Sequence, residues 1–570
     1  MATDSHNHTM RHTAALMLVA ALLLPCLICA ISPSPQTAAT RKPLPEIRPQ
    51  IPRANRNNTS RVFLEHAEKL NKAETDTFLV LTGDVHFSRG AMQMYCDSAH
   101  YFPESESLDA FGHVRMEQGD TLFVYADELN YRDSLAVLYG TPQKPVKMIN
   151  RDVTLTTDEF IYDLVSDFGY YSHEGTLTDS HNRLTSLQGE YVPATKEANF
   201  YIDVHLSSLN DKGDTLDIYT DTLYYNTATR VARLNAPSRI INRDATIYTR
   251  SGVYNTNTNV SELFSRSRVV TAGGSTLEGD TLYYDRAAGY GEAFGAMVLT
   301  DSVRRTSLSG DYGYYNELID SAYVTGHALA KEYSKDDTLY MHGRQIEMFT
   351  RIDSVITEAD TVSGSPRSLR LDTTHVTVCY PRVRFFRSDL QGICDSMRFV
   401  ERDSMLYMHR HPVIWSGNRQ IFGNIIQVHF NDSTADQAIL PDFGFSAEHI
   451  EDGYYNQLSG KEMIADLADG HLRRLRVNGN VQAIMMPQEN DSTYNKIVNM
   501  ESSFLDATFT PDNLERMKLW PETSGTVTPL YLAKKSLFTL PRFYWWGDLR
   551  PLSPEDVFIV PEQMENLMRE

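Results

Sequence analysis

Cysteine is scarce: the 570 residues hold five, and Cys26 and Cys29 fall inside one N-terminal apolar run. The remaining three, Cys96, Cys379 and Cys394, are too few for a disulfide framework and form no C-x-x-C pair. In an oxidising compartment a Cys379–Cys394 bridge is one reading, and three unpaired buried thiols are the other. Long hydrophobic runs are equally scarce, since no stretch after Ile31 is long enough to span a bilayer. The four tryptophans, at 415, 520, 545 and 546, all lie late in the chain. Basic charge is in deficit, with 53 Lys and Arg against 74 Asp and Glu and a formal net charge of −21. That excludes nucleic acid as the main partner, because phosphate binding needs clustered cations. It also excludes adsorption to an anionic membrane by bulk charge.

Signatures of catalysis are missing too. There is no H-E-x-x-H, no G-x-S-x-G and no phosphate loop. Ala272-Gly273-Gly274-Ser275 reads as a hairpin turn. His409 and His411 form a close pair without a third ligand, so no metal site is assigned. These absences predict a protein that is no enzyme and needs no cofactor. The enzymatic reading they leave open is a carbohydrate-active β-solenoid, whose acids are dispersed.

The N-terminus reads as an export signal over residues 1–30. Arg11 and His12 precede the apolar run Ala14 to Ile31, and Ala30 is the expected cleavage site. A retained membrane anchor is the alternative. Residues 31–60, rich in Pro, Arg, Asn and Thr, read as a disordered linker.

What the chain has in abundance is one repeated phrase. Leu277–Asp285 reads L-E-G-D-T-L-Y-Y-D, and Tyr219–Asn226 reads Y-T-D-T-L-Y-Y-N. Aligning the acid or glycine gives Glu68, Asp97, Asp127, Asp158, Glu190, Asp221, Gly252, Asp280, Asp311 and Gly343, spaced by 28 to 32 residues. A glycine-marked strand recurs between them, as G-D-V-H-F at 83–87, G-H-V-R-M at 112–116 and G-A-M-V-L at 295–299. Propeller blades are longer, leucine-rich repeats shorter, and helical periodicity is sparse. Alternation as in Val85/Phe87 puts one face in a core and one in water. The expected fold is all-β and antiparallel: an elongated repeat β-jellyroll, or folded-over β-sandwich (a β-taco), of about 30-residue units. Its ends expose strand edges suited to end-to-end addition of a similar protein. The acid ladder reads as turn capping through neighbouring backbone N–H groups. Calcium is the rival reading, but a calcium β-roll has a nine-residue period.

The expected organisation is a β-repeat domain over 61–360, a seam at T-V-S-G-S-P, a degenerate β-repeat region over 367–520, and a Pro/aromatic C-terminal tail or cap over 521–570.

The units C-D-S-A-H-Y (96–101), G-H-V-R-M and G-D-T-L-Y-Y-D, together with the G-D-V element, resemble the OstA/LptA-type repeat of bacterial lipopolysaccharide transport. The resemblance is nearest to the long OstA-like proteins of the Bacteroidetes. It extends over about 61–345 and continues more loosely over 367–550. It implies a periplasmic, non-enzymatic bridge between inner and outer membrane of a Gram-negative cell, with outer-membrane association as a variant. Lipid A acyl chains would ride in an apolar groove. The implied partners are lipopolysaccharide and other transport components, namely an inner-membrane complex and an outer-membrane translocon, joined through open strand edges. Candidate groove residues are Leu79, Leu81, Val85, Phe87, Val114, Met116, Leu122, Val124, Leu282 and Tyr284. The alternative is a structural or adhesive surface repeat protein whose core is closed.

Overall fold

The computed structural model describes residues 61–72, 77–209, 215–243, 245–303, 305–316, 318–333, 337–357, 368–431, 434–451, 453–468, 471–489, 493–510 and 514–569. The export signal, its cleavage after Ala30, the linker and the T-V-S-G-S-P seam lie outside the described residues. The described chain is almost wholly antiparallel β-structure in short strands, and its one α-helix is Glu562–Arg569. No helix among the described residues is long and apolar enough to cross a membrane. Two compact units form among the described residues, one of 61–273 with 280–287, the other of 274–279 with 288 onward.

In the first unit the chain zigzags between two half-sheets. The strand Leu79–Arg89 pairs with Met92–Phe102 from Leu79↔Tyr101 to Thr82↔Ser98, slips, and resumes at Val85↔Cys96. The slip is a bulge at which the strand turns a corner, with Gly83 at φ 81° and Asp84 at φ 41°. Residues 85–89 thus belong to one half-sheet, half I, and residues 79–82 to the other, half II. Ser107–Gln118 turns the same corner at Gly112 and His113, and Glu197–Leu209 at Ile202 and Asp203. Elsewhere the corner splits the strand in two, as between Val153–Thr157 and Glu159–Asp163. Corners line one long side of the unit and hairpin turns line the free edges of the two halves.

The acid ladder lies at the corners. Asp97 accepts a hydrogen bond from His113 Nδ1 at 2.7 Å, Asp280 lies 3.5 Å from Arg266 Nη1, and Glu68 N donates to the carbonyl of Gly83 at 2.9 Å. A Cβ on Gly112 would sit 2.5 Å from the Asp97 carboxylate, so that corner needs glycine for space as well as for φ. This differs from the turn-capping expectation. The Asp97 and Asp280 carboxylates each tie their own corner to a neighbouring corner. The hairpin turns are capped by the residue that closes the motif: Asp163, Asn226 and Asn255 each accept two backbone N–H groups of the following turn.

The second unit repeats this plan. Asp311 and His327 form the same 2.8 Å corner pair. Gln345–Thr357 and Ser368–Tyr380 pair along their whole length, from Gln345↔Tyr380 to Thr357↔Ser368. Residues 530–569 then run as a strap across the outer face of half I. Two buried glutamines hold it in the manner of an added strand. Gln420 donates to Tyr544 O and accepts from Trp546 N. Gln457 donates to Phe538 O and accepts from Leu540 N. Arg384 donates to Leu549 O at 3.0 Å, and Trp415, Ile393, Val413, Leu549 and Met564 close an apolar cluster beneath the strap. Cys96, Cys379 and Cys394 are free and buried, and burial pushes the Cys96 thiol up to about 12.

Candidate functional site: the inner faces and their mouth

Strand pairing lines up the inward side chains in rows. On half I of the first unit, Phe87 pairs with Met94, Met94 with Met116, and the row passes through Val124, Met148, Leu155, Leu177, Leu184, Leu206 and Ile218 to Ile240 and Ile247. Every member is buried. On half II a second row starts at Leu81 and passes Ala99, Ala110, Leu129 and Leu138. Beyond Phe160 it continues through Phe200, Leu223, Leu234 and Leu263 to Leu282. Phe87 of half I meets Tyr101 of half II with ring centroids 5.6 Å apart, so the two inner faces pack on each other.

All ten candidate groove residues lie on these inner faces. Val85, Phe87, Val114, Met116, Leu122 and Val124 are on half I, and Leu79, Leu81, Leu282 and Tyr284 on half II. Leu79 and Tyr284 are half-buried and the other eight are buried. Leu79–Val124 cluster at one end of the unit. Leu282 shares the row of Leu81, and Tyr284 that of Leu79, many strands away.

The row of Leu79 and Tyr284 runs along the free edge of half II and alternates tyrosine with smaller residues. Tyr131 pairs with Ala136, Tyr162 with Ala136 and Gly169, Tyr191 with Gly169 and Ala198, Tyr225 with Ala198 and Ala232, and Tyr254 with Ala232 and Ser261. The small neighbours leave room for the rings. Across the mouth, the free edge of half I presents a polar side chain to four of the tyrosines. The Arg89 guanidinium lies 5.5 Å from the ring centroid of Tyr131. The Tyr162 hydroxyl, which donates to Asp167 Oδ1 at 2.5 Å, also lies 3.2 Å from Gln118 Oε1. Asn150 Nδ2 donates to Tyr191 Oη at 3.1 Å and to Pro193 O at 3.2 Å. Asn182 Nδ2 donates to Tyr225 Oη at 2.8 Å. The partners are 41 and 43 residues apart where a hydrogen bond joins them. Burial and the carboxylates of Asp167 and Asp179 hold the Tyr162 and Tyr225 hydroxyls protonated far above the usual range. Burial pushes Tyr254 up to about 12. The first unit therefore has an apolar interior whose mouth is latched shut by hydrogen bonds.

The second unit differs. Its half I inner row passes from Phe385 through Gly392 to Ile414, Ile421, Ser446 and Leu458. On half II, Leu406 leads to Val428, Ala438, Ala465 and Leu475. Ile414, Ile421, Leu458, Val428, Ala438, Ala465 and Leu475 are half-buried, although their counterparts in the first unit are buried. Near the corner the halves still close. Gly444 leaves space for Met463, whose Cγ would lie 2.7 Å from a Cβ there. None of the mouth latches or half-buried inner residues of the second unit figured among the sequence candidates. The recurring tyrosine, about 30 residues apart from Tyr131 to Tyr284, was the available signal.

Among the described residues no group of three or more His, Cys, Asp and Glu side chains could hold a metal ion. His411 sits in a left-handed corner beside Arg410.

Residues 59–212 and 207–272 match the family model described as OstA-like protein. No curated protein matches the chain. Among solved structures, one similar to part of the chain is the crystal structure of LptH, the LptA homologous periplasmic component of the conserved lipopolysaccharide transport device from Pseudomonas aeruginosa. It is 10% identical, covering 25% of this chain and 99% of its own, with a TM-score of 0.19.

Proposed function

Residues 59–272 being OstA-like, we propose that the protein is a non-enzymatic carrier of lipopolysaccharide in the periplasm. It would hold lipid A acyl chains on its inner faces and serve as part of a bridge between inner and outer membrane. The observation that carries this reading is the inner surface itself: unbroken apolar rows in the first unit, and half-buried apolar rows in the second. Burying an acyl chain of about a dozen methylenes gains roughly 10 kcal/mol gross. A row of like residues spreads that gain evenly, so the chain slides without a deep trap.

The second unit offers entry, with Ile421, Leu458, Val428 and Leu475 already reached by solvent. In the first unit the ten sequence candidates become the lipid path only when the mouth latches part. Each latch is a neutral hydrogen bond or a cation–ring contact, worth about 1 kcal/mol net. An acyl chain therefore gains enough to open several. The edge strands at each end supply the docking surfaces for the neighbouring transport components. Phe63 and Leu70 are exposed at the start of the first unit, and Leu514 and Val527 at the end of the second.

The closed core of the first unit favours a second reading, a structural repeat protein. Mass spectrometry of protein purified from its native envelope separates the two. Co-purifying lipopolysaccharide in stoichiometric amount supports the carrier. Absence of any amphiphile, with normal outer-leaflet lipopolysaccharide after depletion, overturns it.

A further inference from the structure

The outer face of half I in the first unit carries a row that the lipid path does not use. His205, Tyr219, Arg239, Tyr248 and Arg268 are successive cross-strand partners. His205 stacks on Tyr219 with centroids 4.4 Å apart and planes 5° apart. Arg239 lies 5.1 Å from the Tyr219 centroid. Tyr219 and Tyr248 are 38% and 47% exposed, more than packing on a sheet surface requires. The same order occurs earlier in the same row: His86, Tyr95, Arg115, Tyr125 and Lys147. There His86 stacks on Tyr95 at 4.4 Å and Arg115 lies 4.5 Å from the Tyr95 centroid. Thr156, Thr176 and Thr185 join the two sets. The ten residues named in these two sets include no acid, on a chain of net charge −21, and acids flank them at Glu117, Asp203, Asp217 and Asp221.

We propose that this row binds an anionic, phosphate-bearing oligosaccharide. Exposed tyrosine faces offer a flat apolar platform to the C–H face of a sugar ring, and their hydroxyls remain free to bond. Arginines lying over tyrosines present guanidinium donors outward, where they pair with phosphate in a bidentate manner. Successive members are one strand spacing apart, about 4.8 Å, close to the length of one hexopyranose. A glycan crossing the strands therefore meets one platform or one cation per sugar. A surface depression along His205, Tyr219, Arg239 and Tyr248 is bounded on its corner side by Asp203 and Asp221. Their carboxylates accept hydrogen bonds from sugar hydroxyls. Two of the row's groups are fixed by neighbouring acids, His205 by Asp217 at 2.8 Å and Arg115 by Glu117 at 2.9 Å. These pairs orient the ring and the guanidinium. Single-stranded nucleic acid also stacks on aromatic rows, but the acids beside this one repel a continuous phosphate backbone. The proposal does not depend on what the inner faces hold.

The test is calorimetry on the full mature chain, with a phosphorylated mannan oligosaccharide as probe. The dephosphorylated oligosaccharide and an oligothymidylate of similar length are the comparators. The phosphorylated probe is expected to bind at least about tenfold tighter than either comparator. Tyr219→Ala combined with Tyr248→Ala should weaken it about tenfold or more. Arg239→Gln, an exposed change that spares folding, should narrow the gap between the phosphorylated and dephosphorylated sugars. The proposal is overturned if the phosphorylated sugar does not bind, if oligothymidylate binds more tightly, or if Arg239→Gln leaves the gap unchanged.

Discussion

Asn182 and Tyr225 join the two half-sheets of the first unit across their free edges, Nδ2 donating to Oη at 2.8 Å between residues 43 apart. The Tyr225 hydroxyl in turn donates to Asp179 at 2.8 Å. Tyr225→Phe removes both bonds, while Asn182 Nδ2 keeps Asp179 and Thr256 and the Asp179 carboxylate keeps the N–H groups of His181 and Asn182. A loss of about 1 kcal/mol is expected in denaturant unfolding. Hydrogen exchange should quicken in the turns around 179–183 and 226–230. Unchanged exchange there would show that the latch does not hold the mouth.

The corners make a separate prediction. Gly112→Ala forces a Cβ to 2.5 Å from the Asp97 carboxylate at a φ of +74°. It should destabilise by about 1–3 kcal/mol. Pairing it with Asp97→Ala relieves the clash but not the backbone strain, so the double variant should regain only part of the loss. Full additivity in the double-mutant cycle would contradict this account.

Much of this architecture is legible in the chain. The recurrence of Asp97, Asp127, Asp158 and Asp311 sets the 30-residue register, and Val85/Phe87 and Leu122/Val124 mark the inner face, because strand alternation is local. The roles of the two acids in G-D-T-L-Y-Y-D are less legible. Asp280 ties a corner and Asp285 accepts the N–H of Ala287 in the turn, and both read equally well as turn residues. The latches are less legible still. Asn150 and Tyr191 meet only after the sheet has folded over, and nothing local pairs them. Gln420 and Gln457 look like ordinary outward polar positions until a strap lies over them.

That strap is the third test. Gln420 serves Tyr544 O, Trp546 N and the Trp415 indole N–H together. Gln420→Ala combined with Gln457→Ala should expose residues 530–546 to limited proteolysis. It should also shift Trp415 fluorescence to longer wavelength, since that ring is fully buried in the native protein. A resistant strap with unshifted emission would mean that the apolar cluster alone holds it.

Acid should loosen the same strap at its far end. Burial holds His342 below the ordinary histidine range, its Nδ1 donates to Ala328 O at 2.7 Å, and its ring lies 4.7 Å from Phe558. The unfolded chain binds that proton more readily. The stability His342 contributes is thus present above the unfolded pKa and is lost as pH falls below about 6.5. Exchange at 555–558 should rise between about pH 7.5 and about pH 5 in the native protein and less so in His342→Phe. An equal rise in both would assign the effect to other groups.

Site-specific photo-crosslinking in the native envelope tests lipid carriage most directly. A photoreactive residue at Ile421, on the half-buried inner face of the second unit, is compared with one at Glu501, exposed on the outer face. A third, at Phe87, probes the latched interior of the first unit. The carrier account predicts lipopolysaccharide adducts at Ile421 and Phe87 and none at Glu501, with the Phe87 adduct increasing in Tyr225→Phe. Adducts at none of the three, or at Glu501 alone, would contradict it.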